Sequence, residues 1–161
     1  MTKIEKLILD LTKSTFGDPW HGASVMDILQ DITYEHAFHK PIPAVHNIIE
    51  ILLHMTSWVQ EVNCRFKGNK AALPKKGDWP IVKLSSENYW QKTKDEFISE
   101  TNKLIEILKD FPEERLNEYP QKARNKSLGT GFTYEGLIWG IIQHNAYHSG
   151  QIGLLKKSFS K

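Results

Sequence analysis

The stretch that most constrains this chain is Leu137–Lys156, LIWGIIQHNAYHSGQIGLLK. Its apolar residues return every three or four positions, so it reads as one helix of about five turns, the periodicity of an amphipathic helix. His144 and His148 lie inside that pattern, four residues apart. Four residues leave side chains roughly 40° apart around a helix axis, so both imidazoles project from one face. Leu137, Ile141, His144, His148, Gln151 and Leu155 share the stripe. Each imidazole has polar ring nitrogens that need partners when buried. A bound metal ion satisfies both rings at once; ordinary hydrogen bonds to core neighbours are the simpler alternative. The spacing is that of H-E-x-x-H, but Asn145 follows the first histidine. The carboxylate that serves as general base in such peptidases is missing, which disfavours a metalloprotease.

Other segments carry the same helical signature. Thr2–Ser14 repeats through Ile4, Leu7, Ile8 and Leu11, with Thr2 as N-cap. Phe16–Ala23, with two glycines and a proline, is a break. Ser24 and Asp27 form a variant capping box that opens a second run to about Phe38, ended by Pro41 and Pro43. Ala44–Phe66 is helical on the ridge Ile48, Leu52, Met55 and Val59. Gly68–Leu84 is a long loop whose Trp79 is expected to pack back onto the body. Ser85 or Ser86 caps a helix to about Asp110, and Pro112–Leu116 is expected to form one short turn. Tyr119–Phe132 is loop, and Thr133 caps the histidine-bearing helix. No strand-like alternation, internal repeat or low-complexity tract interrupts this pattern. The expected fold is all-α, an antiparallel four-helix bundle, as one domain over residues 1–161.

Composition narrows the function. The 161 residues suit one domain with a proper core, and a formal net charge of +2 implies no nucleic acid or other polyanion as partner. The densest basic group, Lys122, Arg124 and Lys126, reads as solvated loop surface. No apolar run approaches a membrane span of ~20 residues, and Met1–Lys13 lacks the uninterrupted apolar core of a signal peptide. The single cysteine, Cys64, cannot form an internal disulfide and is expected to be buried and inert. The expected location is the cytoplasm.

His54, mid-helix in EILLHMTSW, is the further candidate ligand from a facing helix. His46 lies roughly 80° away around the axis, so the two need not face one ion. The ridge Ile48–Val59 is offset from His54, which is therefore expected to line a cleft at the bundle edge. No E-x-x-H occurs, since Glu50 and His54 are four apart, and this argues against a ferritin-like di-iron site. Asp18, Trp20 and His21 are expected either to rim a cleft or simply to pack.

Four motifs together identify a resemblance: WHGAS at Trp20–Ser24, ILLHMTSW at Ile51–Trp58, the GDWP loop around Trp79, and HNAYHSGQIGLLKK at His144–Lys157. In order and spacing the chain resembles the DinB superfamily, which includes bacillithiol-transferase-like proteins. The resemblance implies a four-helix bundle holding a divalent metal ion, zinc or nickel, through His54, His144 and His148. It further implies a metal-dependent transferase with a low-molecular-weight thiol as cosubstrate, acting on a small-molecule electrophile, and a homodimer. It implies no DNA binding. Three neutral imidazoles leave a fourth position for water or substrate, the arrangement of a catalytic rather than a structural site. A metal-dependent hydrolase and a non-catalytic interaction bundle are the alternatives. Gln151, Glu50, Asn145 and Tyr147 are candidates to orient ligands or contact substrate; the catalytic residues remain open.

Overall fold

Reciprocal capping sets where the first helix begins. Thr2 Oγ1 accepts from the Glu5 amide at 3.1 Å, while the Glu5 carboxylate accepts from the Thr2 amide at 2.7 Å. This satisfies two donors that the helix cannot pair internally. In the computed structural model, which describes residues 1–159, the helices are α1 Lys3–Phe16, α2 Val25–Leu29, α3 Tyr34–Phe38, α4 Ile48–Phe66, α5 Glu87–Lys109 and α6 Tyr134–Lys157. A 3-10 turn spans Glu113–Asn117. The described residues contain no strand, and the fold is all-α. The last two positions of the expected domain lie outside the described residues.

Each long helix packs on two others: α4 on α5 and α6, and α1 on α6 and α5. The expected ridge of α4, Ile48, Leu52, Met55 and Val59, is buried, together with Leu11, Phe97, Leu104 and Ile138 from the other three. Polar contacts give the helix directions. Gln60 meets Glu96 and Asn63 meets Glu100, so α4 and α5 run the same way. Phe66 packs on Tyr134 while His54 meets His144, so α4 and α6 are antiparallel. The amide of Ile4 donates to Glu113 beyond the end of α5, making α1 and α5 antiparallel. Lys3 pairs with Glu135, placing the starts of α1 and α6 together.

The expected antiparallel arrangement therefore holds for α4–α6 and α1–α5 but not for α4–α5 or α1–α6, and the parallel α4–α5 pair accounts for the long loop between them. A helix of 19 residues at 1.5 Å rise is about 28 Å long, and the chain must travel back that far before α5 begins. Residues 67–86 make that return, crossing the α4 face that carries His54.

Two boundaries differ from the sequence expectation. The run expected from Ser24 to Phe38 is two short helices. Ser24 and Asp27 do cap α2 reciprocally, but Thr33 accepts from the His36 amide and starts α3 afresh. The Trp90 indole donates to the Ile32 carbonyl at 3.0 Å, which fixes the break between them. The helix expected from Ala44 begins at Ile48, because Asn47 and Glu50 form a capping box. Cys64, expected to be buried, is exposed on α4. Trp20 is fully exposed and packs on none of the described residues. The expected caps Thr2, Ser86 and Thr133 all make their hydrogen bonds.

Candidate metal centre

The antiparallel crossing of α4 and α6 brings His54 against His144 and His148. Their ring centroids are 4.5–4.9 Å apart, and one nitrogen from each ring lies within 4.8 Å of the others. This group could hold a metal ion. His54 and His148 are buried and His144 is partly so. His54 does not line an open cleft as expected, because the returning loop covers it. Trp79 stacks on the His54 ring at 3.9 Å and 8°, and His46 stacks on the other face of Trp79 at 3.6 Å. The Trp79 expectation holds, and His46 is a stacking residue just outside α4. Its Nδ1 pairs with Glu50, which also binds Lys40, so Glu50 stands apart from the three rings.

The hydrogen bonds fix which nitrogens carry protons. His54 Nδ1–H donates to the Asp78 carbonyl at 2.6 Å, leaving Nε2 a bare lone pair. His148 Nδ1–H donates to Gln151 Oε1 at 2.6 Å, and its Nε2 is bare in the same way. Gln151 turns its oxygen inward because its own NH2 donates to the Tyr147 hydroxyl at 3.3 Å. A carboxylate or carbonyl on the outer nitrogen selects the tautomer and strengthens the inner one as a ligand. Asp78 is itself anchored: the Trp58 indole donates to its Oδ1 at 2.7 Å, and that oxygen lies 3.2 Å from His54 Nδ1.

The convergence of ring nitrogens is the test of fit. His54 Nε2 lies 3.0 Å from His144 Nε2. A proton on His144 could bridge that pair but would not engage the His148 nitrogen, whereas one cation serves all three. Nitrogens sharing a tetrahedral zinc at about 2.0–2.1 Å sit roughly 3.3 Å apart. His144 Nδ1 is buried without a hydrogen-bond partner among the described residues. Burial, then the fields of His148 and His54, lower the His144 pKa to about 4. Burial lowers those of His54 and His148 as well. All three rings are thus neutral near pH 7, the form in which imidazole binds metal.

Sequence reasoning named Gln151 and Tyr147 among the candidates, and both attach to His148. It missed Asp78, whose contact with His54 spans 24 residues of sequence and leaves no local signal. Asn145, another candidate, is buried beside His144 and its side chain partly offsets the effect of burial on that ring, although neither amide atom completes a hydrogen bond among the described residues.

The fold is all-helical, and facing helices bring together three imidazoles that could hold a metal ion. The chain belongs to the DinB superfamily, whose family model matches residues 20–152, well over half its length. No curated protein and no solved structure matches it. Among the described residues no helix is long and apolar enough to cross a membrane.

Proposed function

We propose that this protein is a metal-dependent transferase that joins a low-molecular-weight thiol to a small electrophile. The observation that carries the reading is the set of three neutral imidazoles, from two facing helices, whose inner nitrogens converge. His54, His144 and His148 would hold the ion, zinc or nickel. A divalent ion bound there supplies positive charge that lowers the pKa of a thiol, or of water, at its open position. The chain's own residues do the rest. The Asp78 carbonyl and Gln151 hold two rings in the ligating tautomer, and Trp79 shields the His54 ring from water on one face. In the transfer the thiol loses its proton to solvent and its sulfur forms a bond to the electrophilic carbon. The leaving group departs with the electron pair of the broken bond.

The test is the metal-loaded protein with a panel of low-molecular-weight thiols and monochlorobimane, following the fluorescent conjugate and released chloride. Conjugation above the uncatalysed rate, lost in His148→Ala, supports transfer. Turnover of esters or amides without any thiol would point instead to hydrolysis. No turnover of either kind in a protein that does bind metal would sink the thiol-transfer reading.

A further inference from the structure

Two cavities flank the histidine cluster, and their chemistry differs. One, of about 460 Å³, reaches His148 between α6 and the segment before α4; Ile42, Val45 and Leu154 line it, and among the described residues no lysine or arginine does. The other, also about 460 Å³, lies between α4, α6 and the loop before α6, and reaches His144. Trp58, Trp139, Phe132 and Ile141 form its apolar walls, and Lys126 stands at its rim. No aspartate or glutamate lines it.

The second cavity is built to keep its shape. The Trp58 indole is held by Asp78, and the loop that forms the rim is pinned by Arg65, whose guanidinium donates to the Leu128 and Gly129 carbonyls at 2.6 and 3.1 Å. Arg65 is buried and neutralised by Glu61, so it is a brace and leaves no net charge. Lys126 makes no ion pair among the described residues, and the Arg124 guanidinium lies 4.7 Å over the Phe132 ring with only carbonyl partners. The rim therefore carries uncompensated positive charge above an aromatic box. Gly140, on the α6 side of the box, would place a Cβ into open space, with nothing within 4 Å.

We propose that this cavity binds an organic anion with a flat apolar or aromatic body, the anionic group at Lys126 and the body between Trp58 and Trp139. Resting on the reading of the histidine cluster as a reaction centre, this molecule is one of the two reactants, held with its far end at His144. Apolar walls supply the burial and a single rim charge supplies orientation, the usual division of labour in small-molecule sites. The volume suits a body of one or two fused rings.

The probe is 8-anilinonaphthalene-1-sulfonate, compared with its uncharged relative N-phenyl-1-naphthylamine, titrated by fluorescence against chelated and zinc-loaded protein. Saturable binding with one site per chain is expected in both. Gly140→Leu fills the box while favouring the helix, and should weaken both probes about tenfold or more; Gly140→Ala should weaken them less. Lys126→Glu should weaken the sulfonate about fivefold and leave the neutral probe within about twofold, the scale of an exposed charge reversal. Far-ultraviolet circular dichroism confirms that each variant is folded. Unchanged affinity in Gly140→Leu, or an equal response of both probes to Lys126→Glu, overturns the proposal. Probe binding in a protein that takes up no metal would uphold the cavity and remove only the transferase reading.

Discussion

Replacing Gln151 by leucine isolates the contribution of ligand orientation to metal affinity. The side chains are close in size, and Gln151 is only partly buried, so packing changes little. What is lost is the bond from His148 Nδ1–H to Gln151 Oε1 at 2.6 Å. In the metal-free variant the imidazole can move its proton to Nε2, the nitrogen that must ligate, and binding then has to reverse that transfer. The remaining Nδ1–H of the bound state faces leucine and has no acceptor. Loss of such an outer partner costs about 10–100-fold in metal affinity, or about 1.4–2.7 kcal/mol. Competition for zinc between the protein and a chromophoric chelator measures this directly, with thermal unfolding of the chelated proteins as control. A weakening of that size with nearly unchanged metal-free stability is the expected result. Wild-type affinity in Gln151→Leu would refute the reasoning, since His148 would then reach the ligating tautomer unaided.

Three further outcomes follow from the geometry. Arg65→Met strands the buried Glu61 carboxylate and frees the loop at Leu128–Gly129, and should cost about 3–5 kcal/mol in urea unfolding; Glu61→Leu added to it should recover much of the loss. Asn47→Ala removes the α4 capping box and should cost about 1 kcal/mol by the same measurement. In the chelated protein, His144 with its pKa near 4 stays neutral while the unfolded chain takes up a proton below its ordinary value of 6.5. Stability should therefore be full above pH 6.5, fall as pH drops toward 4 and level off below, by on the order of 3 kcal/mol, and His144→Leu should flatten that part of the profile.

The helices were legible because their apolar spacing and their caps are local. Thr2, Ser86 and Thr133 each sit three residues before the amide they accept from, so a short window contains the whole interaction. The Asn47–Glu50 box was equally local and could have been read from asparagine and glutamate ahead of an apolar run. The break at Ile32 was not local, because the Trp90 indole that holds it comes from α5. His144 and His148 declare their shared face by spacing alone. His54 could be named as a candidate on a facing helix, but its meeting with the pair needed the α4–α6 crossing, which the bundle reading allowed and the family resemblance implied. Its burial needed the course of the loop, which follows from α4 and α5 running parallel. Asp78 and the cavity beside His144 depend on that same loop and on Arg65 bracing the next one, and no sequence window holds either pair.

The most direct test is elemental analysis of protein purified without a histidine tag or chelator, beside His54→Ala and His148→Ala. The account predicts about one zinc or nickel ion per chain, lost in both variants, as an open three-imidazole site requires. One ion per chain retained in His148→Ala, or none in the unaltered protein after zinc and nickel are supplied, would contradict it.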